Sequence, residues 1–573
     1  MPEPANPKAG QPLPRGAISP LVPVLVPLAV AATLMGILFS RLFPLPARSA
    51  SAPPPAFRDA TRSAGIAFVH DNGSVGDAEA PTTLPGAVAF LDYDADGHPD
   101  LFFVGGMSWP WSPLGAARPC ALYHNDGHGH FTDVTRDSGL DTGPLGMAVA
   151  AGDYDGDGYP DLFVTGIGGN RLFHNLGNGR FADVTGEAGV RGDDHVWSTG
   201  AVWIDIFGSG RLDLVVCNYA RWSRQADLAS AFVAESAGPS YAAPAGFVSA
   251  FPTVYRNLGN GRFADASASC GLNLIDRQTG YPRAQPVAVT AVDANGDGRL
   301  DLLFAYQSGE DVLFLNQGDG TFREWKPPAQ RHREGASAGL VGSGALALEL
   351  PGQGFDRLGV LRSAGLAMGP IPDPAGAPCS LRYRLGVALL DYDLDGRMDI
   401  VSGNGLAEPK LAHFEGGRGY AASPSISWND GRGWIRPRAR TALDGPMVAR
   451  GVAVADTTGQ GNLDIVIAQN GGPPRLLRDE QRPRHAWLRI DLVGTHCQRD
   501  AGGARVEVHT PRGVLVQTME PAMGFMAQSE STLTFGLGDD DRVRRIVVRW
   551  PSGVLQEVRP PGVNRRLVIT EPR

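Results

Sequence analysis

The stretch LDYDADGHPDLFFVGG (91–106) sets Asp92, Asp94, Asp96 and Asp100 within nine positions and then runs into an apolar segment. Carboxylates this close repel one another, so the crowding needs a compensating charge. The arrangement returns in AGDYDGDGYPDLFVTG (151–166), AVDANGDGRLDLLFAY (291–306) and LLDYDLDGRMDIVSGN (389–404), which share D-x-[DN]-x-D-G-x-x-D before a strand-like run. Eroded copies keep the frame in WIDIFGSGRLDLVV (203–216) and VADTTGQGNLDIVI (454–467). A further copy, ALELPGQGFDRLGV (347–360), has Glu349 at the first acidic position.

A hairpin loop with oxygen-bearing side chains at positions 1, 3, 5 and 9 turns them toward one centre. Glycine at position 6 allows the bend, and the carbonyl of position 7 can complete the shell. This is the logic of a calcium loop, and so many hard oxygen ligands suit Ca²⁺ better than Mg²⁺. Complete sets are Asp92/Asp94/Asp96/Asp100 with His98, Asp153/Asp155/Asp157/Asp161 with Tyr159, Asp293/Asn295/Asp297/Asp301 with Arg299, and Asp391/Asp393/Asp395/Asp399 with Arg397. The residue at position 7 contributes only its backbone carbonyl. About four ions are expected, one per complete loop. Asp205/Ser209/Asp213 and Asp456/Thr458/Gln460/Asp464 have lost ligands and are left open; the Glu349 copy is expected to hold none. A loop that saturates a cation leaves no position for substrate, which argues against a catalytic metal.

A second element alternates with the first: HNDGHGHFTDVT (124–135), HNLGNGRFADVT (174–185), RNLGNGRFADAS (256–267), LNQGDGTFREW (315–325) and WNDGRGWIR (428–436). Each reads as a hairpin turn followed by an aromatic. Several short strands per repeat predict an all-β, seven-bladed β-propeller over 56–480, counted on acidic positions 92, 153, 205, 293, 349, 391 and 456. AFRDATRSAGIAF (56–68) resembles the downstream half of a repeat, whereas the last repeat, ending PPRLLRDE (474–480), lacks that half. Together they would make one blade and close the ring without exposed edges.

Composition agrees with this reading. The chain has 573 residues with 75 glycines and 46 prolines, and long amphipathic helical patterns are nearly absent. A formal charge of −9 without a Lys/Arg cluster argues against a nucleic-acid partner. Cys120, Cys217, Cys270, Cys379 and Cys497 show no zinc spacing and no disulfide framework, although isolated bridges stay open in an oxidising compartment.

At the N-terminal end, AISPLVPVLVPLAVAATLMGILFS (17–40) is uncharged and flanked by Lys8, Arg15, Arg41 and Arg48. Its length predicts a single membrane helix over 17–43 after a cytoplasmic tail (1–16), with a Pro-rich linker (44–55) leading to a body on the periplasmic or extracellular side. The alternative is a signal peptide cleaved near Ala50-Ser51-Ala52, giving a secreted protein.

The repeats resemble the FG-GAP/VCBS type of integrin α-subunit propellers and many exported bacterial proteins. DAGGARVEVHTPRG (500–513) and GFMAQSESTLTFGLGDDDRVRRIVVRWPSG (524–553), with their FGLG and WPSG stretches, resemble the ASPIC/UnbV domain of cartilage-acidic-protein-like chains. The resemblance implies an exported calcium-binding propeller with a small C-terminal β-domain (481–573) and supplies no established reaction. Such families usually carry fuller aspartate sets in the later repeats, so the erosion at Asp456 is a departure.

Competing motifs are weaker. GASAG (335–339) around Ser337 lacks the strand and helix of a nucleophile elbow. His124, His128 and His130 read as a solvated turn rather than a transition-metal site. Trp109, Trp111 and Trp203 read as blade packing rather than a sugar platform on the rim. The expected function is a non-enzymatic scaffold or accessory subunit that presents loops at 220–247 and 405–428 to a protein partner or membrane complex. The alternative is a lectin-like glycan-binding or adhesion module; a hydrolase is the weakest reading.

Overall fold

The computed structural model describes residues 55–325 and 386–573, apart from 75–78, 107–108, 110–119, 142–144, 235–237, 243–246, 284, 307–311, 406–419, 430–433, 436–441, 482–484 and 521–525. Six four-stranded antiparallel units account for most of it. Unit A is Val88–Leu91, Asp100–Phe103, Ala121–Asn125 and Phe131–Asp133. Unit B is Leu145–Gly152, Asp161–Ile167, Arg171–Asn175 and Phe181–Asp183. Unit C is Val196–Ile204, Asp213–Arg221, Thr253–Asn257 and Phe263–Asp265. Unit D is Pro286–Val292, Asp301–Tyr306, Val312–Asn316 and Phe322–Glu324. Unit E is Gly386–Leu390, Asp399–Gly403, Ser425–Asn429 and Trp434–Ile435.

Unit F joins the two ends of the repeat region. Ala449–Ala455, Asp464–Gln469 and Arg475–Asp479 pair in turn, and Phe57–Asp59 adds antiparallel to the last of them, with Phe57 opposite Asp479. Leu476 N donates to Thr61 Oγ1 (2.9 Å), and Ala60 N to Leu476 O (2.8 Å). The single shared unit expected from the two half-repeats is therefore present, while the stretch between units D and E lies outside the described residues.

The strands are buried on both faces, as in Val88–Leu91 and Asp161–Ile167, because each unit is sandwiched between neighbours. This is why their sequences are continuous apolar runs rather than alternating patterns. First strands pack in order: E on F, F on A, A on B, B on C and C on D. They converge closely enough to exclude side chains, and a Cβ at Gly386 would lie 1.9 Å from Arg450 O. The arrangement is all-β and propeller-like, and the helices among the described residues are short, such as Thr135–Ser138, Thr185–Ala188 and Arg224–Ser230. The repeat at Glu349 and the motif at Ser337 lie outside the described residues, as do Trp111, Cys379 and the expected span at 17–43. Among the described residues no helix is long and apolar enough to cross a membrane.

The C-terminal domain packs two sheets around Leu488, Ile490, Val506, Val508, Phe535, Ile546, Val548 and Trp550. One sheet has the order Leu533–Gly536, Trp487–Val493, Arg565–Thr570; the other is Val514–Thr518, Arg505–His509, Arg545–Arg549, Leu555–Val558. The FGLG and WPSG motifs are core and turn elements, with Phe535 and Trp550 1% and 2% exposed. A short strand of this domain, Ala527–Gln528, leaves it and pairs in parallel with Val88–Ala89 of unit A. Cys120, Cys217, Cys270 and Cys497 are free thiols.

Candidate metal loops under the C-terminal domain

Each aspartate loop connects the first and second strands of its unit, and two of its carboxylates hold the backbone. The carboxylate at position 1 closes the turn: Asp92 accepts from Asp96 N (3.0 Å) and Gly97 N (2.9 Å), and Asp153 from Asp157 N (3.0 Å) and Gly158 N (2.8 Å). Asp205, Asp293, Asp391 and Asp456 repeat this bonding. The carboxylate at position 9 ties the loop to the next hairpin. Asp100 accepts from Tyr93 N (3.2 Å) and Asn125 N (2.7 Å), Asp213 from Ile206 N (2.9 Å) and Asn257 N (2.8 Å), and Asp301 from Ala294 N (3.0 Å) and Asn316 N (2.7 Å). Positions 1 and 9 thus hold the turn as well as offering ligand atoms, whereas positions 3 and 5 add further charge.

That surplus is gathered in three loops. Ligand atoms of Asp92/Asp94/Asp96, of Asp153/Asp155/Asp157 and of Asp391/Asp393/Asp399 lie within 4.8 Å of one another. Asp94 Oδ1 and Asp393 Oδ1 are buried with no hydrogen-bond partner, so the loops fit a cation that would satisfy them. The Asp293 loop gathers less well. Asn295 Nδ2 donates to Asp297 Oδ2 (3.0 Å), Arg299 pairs with the same carboxylate, and no triad forms among Asp293, Asp297 and Asp301. At position 7 the described bond is the amide donating to the carboxylate at position 5, as from His98 N to Asp96 (2.8 Å), Tyr159 N to Asp157 (2.9 Å) and Arg397 N to Asp395 (2.9 Å).

The two loops that the sequence leaves open do not assemble a ligand set. In the first, Asp205 and Asp213 are the only carboxylates in the frame, and Phe207 fills position 3 with an apolar ring. Ser209 at position 5 brings no charge; its amide donates to Asp205 Oδ1 (2.9 Å), and its buried hydroxyl has no partner. Ser209 thus serves the turn through its amide, as position 5 does in the gathered loops. In the second, Thr458 N and Gln460 N likewise donate to Asp456 Oδ1 (3.3 and 3.1 Å), and Asp464 is occupied by Asp479 N (2.8 Å).

Burial makes the loop carboxyls hard to ionise without a counter-charge. It is the leading cause that pushes Asp100 up to about 9, Asp153 to about 7, Asp161 to about 6 and Asp301 to about 7. Asp391 and Asp399 are driven well above the usual range by burial and then by their carboxylate neighbours.

Two histidines adjoin these loops, which the repeat pattern does not predict. His124 Nδ1 lies 3.2 Å from Asp94 Oδ2 and 3.4 Å from Asp100 Oδ1, and His174 Nδ1 lies 3.0 Å from Asp161 Oδ1. His124 thus faces the loop rather than a solvated turn, whereas His128 and His130 are exposed. The only trace of this in sequence is that His precedes the turn asparagine in units A and B alone.

The turn asparagines also do more than bend the chain. Asn175 Nδ2 donates to Pro160 O (3.1 Å) in its own unit and to Tyr93 O (2.8 Å) in the loop of unit A. Asn257 Nδ2 reaches back to Tyr154 O (2.8 Å) of unit B, and Asn125 Nδ2 to Thr457 O (3.0 Å) of unit F, stapling successive units. Asn175→Ala leaves two buried carbonyls unanswered and is expected to lower the unfolding free energy by about 2–4 kcal/mol. Chemical denaturation measures this, and a negligible change would refute the staple.

The C-terminal domain sits on these same loops. Arg566 donates to Gly97 O, Asp500 Oδ2 accepts from Asp153 N (3.1 Å), Gly538 N donates to Leu394 O (2.9 Å), and His485 Nδ1 bonds Asp393 O (2.8 Å). Gln528 bonds both backbone groups of Ala151 (2.8 and 3.0 Å). Because the units are antiparallel, the connections between second and third strands emerge at the opposite end. They include the insertion in unit C, with its helix Arg224–Ser230 and hairpin Ala231–Ala234/Gly238–Ala242. There Trp109 stacks on Trp222 at 5.0 Å and is 2% exposed. Trp203 is 1% exposed inside the blades, its Nε1 donating to Ala150 O (3.2 Å). Both are packing residues and not a rim platform.

Residues 92–164, 153–216 and 293–342 match the profile of the FG-GAP-like repeat, and residues 494–573 match the ASPIC and UnbV profile, so the chain carries FG-GAP-like repeats and an ASPIC and UnbV domain. Among curated proteins, the chain is similar to cartilage acidic protein 1 of Homo sapiens, 24% identical over 328 residues (56% of this chain, 40% of that protein). The Xenopus tropicalis protein of that name is 24% identical over 327 residues (56% and 41%). The chain therefore spans about two fifths of the length of these relatives. Among solved structures, an Agrocybe aegerita lectin that recognises terminal N-acetylglucosamine superposes with TM-score 0.31 at 16% identity, covering 69% of this chain and 81% of that one. BBS1N in complex with ARL6DN superposes with TM-score 0.35 at 10% identity (75% and 99%). At such scores the fold rests on the strand pairing above.

Proposed function

We propose that this protein is a calcium-ordered, seven-bladed propeller that works as an interaction scaffold outside the cytoplasmic membrane, held there by the segment at 17–43, and that it catalyses no reaction. The orphaned buried oxygens of Asp94 and Asp393 inside gathered carboxylate sets carry this reading. Calcium would be held by Asp92, Asp94, Asp96 and Asp100 and by the matching residues of the Asp153, Asp293 and Asp391 loops, where it supplies charge neutralisation. Asn295 must turn its oxygen inward for the third of these. The ring and its C-terminal domain then form a rigid frame, and the end opposite the loops, where the described part of the 220–247 insertion emerges, is offered to a protein partner together with the insertion at 405–428.

The test is cross-linking of the full chain in membrane extract with calcium and with EDTA, read by peptide mapping. Calcium-dependent cross-links from 220–247 or 405–428 to one partner support the scaffold. Cross-links only from the C-terminal domain refute the assignment of the face. A saturable hit on a glycan array would replace the protein partner with a glycan.

A further inference from the structure

The loop that opens with Asp456 differs from the gathered ones in how closely its charge is answered: at Asp153 the half-exposed Arg499 comes only to 3.6 Å, whereas here the arginine is buried and in contact. Arg489 comes from the C-terminal strand Trp487–Val493, is 2% exposed, and places Nη1 3.1 Å from Asp456 Oδ2 while Nη2 pairs with Glu530. Glu530 is fixed in turn. Its backbone N donates to Val454 O (3.1 Å), and its Oε1 accepts from Asp456 N (3.0 Å). At position 9, Asp464 accepts from Asp479 N (2.8 Å) and from the hydroxyl of Thr457. Thr458 and Gln460 bring no charge to positions 3 and 5. The loop is also lidded, since a Cβ at Gly461 would fall 2.1 Å from the Trp487 ring. Asp94 and Asp393 keep unanswered oxygens at position 3 of their loops, but here position 3 is the uncharged Thr458 and the carboxylate at position 1 faces a buried guanidinium. These residues do not fit a metal ion.

We propose that Arg489 is the built-in cation of this loop: a guanidinium carried by the C-terminal domain holds Asp456 where the other loops would hold a divalent ion. A guanidinium suits the position because it stays charged and can face two carboxylates from one planar group. Unit F, which closes the ring, is then pinned to the C-terminal domain and does not depend on calcium. The contrast with the other loops rests on the calcium reading above.

The test uses the full-length protein dialysed against calcium, with bound metal counted by elemental analysis and melting followed in calcium and in excess EDTA. Asp94→Ala should lose one ion per chain, and its melting deficit should vanish in EDTA. Asp456→Asn should leave the count unchanged and melt lower by the same amount in both conditions; R489K should melt between R489Q and the parent. Loss of an ion in Asp456→Asn, or a deficit confined to calcium, would overturn the proposal. If that variant fails to fold, Gln460→Ala at the exposed position 5 decides: an unchanged count supports the guanidinium and a missing ion refutes it. Should the parent bind no metal, the calcium reading fails, while an Asp456→Asn deficit in EDTA still upholds the pin.

Discussion

Excess EDTA is expected to lower the melting temperature and to reverse the sign of its dependence on pH. Each ion that binds only the folded chain contributes about 2.7 kcal/mol when free calcium is a hundredfold above the dissociation constant. Several loops lose this together, and the C-terminal domain loses its seating with them. The pH effect follows from burial. Without a cation, Asp100, Asp153, Asp161 and Asp301 have folded values of about 9, 7, 6 and 7, all above the unfolded carboxylate range. Their stabilisation is complete at low pH and drains away as pH rises through those values, so chelated protein should be more stable at pH 5 than at pH 8. Calcium holds the same groups ionised in the folded state, and loaded protein should then lose stability as pH falls. Differential scanning calorimetry across this range, with and without chelator, measures both slopes. Parallel slopes would exclude metal from these carboxylates.

The second large effect is expected where no metal is needed. Asp213 sits at position 9 of an eroded loop, is fully buried, and accepts from Ile206 N and Asn257 N. Asp213→Ala strands both amides, and at 1–3 kcal/mol for each buried donor the loss should be about 3–5 kcal/mol. The same loss should appear in calcium and in EDTA. Asp94→Ala, at position 3 of a gathered loop, should by contrast be costly only when calcium is present. Denaturant melts of the two variants separate a carboxylate that serves the backbone alone from one that also serves the metal, and a calcium-dependent deficit at Asp213 would erase the distinction.

That division of labour is partly legible in the amino-acid sequence. Acidic residues stand at positions 1 and 9 in all six described loops, at 92/100, 153/161, 205/213, 293/301, 391/399 and 456/464, while positions 3 and 5 vary. The joining of the two ends is legible for a similar reason, since a half-repeat at each end implies one shared unit, and Phe57–Asp59 does pair with Arg475–Asp479. What does not show is everything requiring two distant segments to meet. Turn chemistry explains Asn175 completely, so nothing suggests a bond to Tyr93 of the preceding unit. Ser209 likewise reads as a spare oxygen ligand, and nothing in its spacing shows that its amide closes the turn on Asp205. Arg489 is one arginine in a strand with no periodic signature, and Gln528 lies in a stretch that looks like any loop. Sequence spacing reports local geometry; it is silent on which surface a separate domain covers.

The pairing of Phe57 with Asp479 also sets an order of events during synthesis. A ribosome releases the first strand of the closing unit long before its partner exists, and that strand must wait for some four hundred further residues to emerge, as the separation of 422 between Arg58 and Glu480 records. Until then the growing arc ends in an unpaired edge, and the segment that threads beside Val88–Ala89 arrives later still. Topology of this kind makes completion a late, whole-chain event. A nascent chain arrested before residue 479 would therefore display an open sheet edge to any strand in its vicinity, and shielding that edge becomes a condition of productive folding.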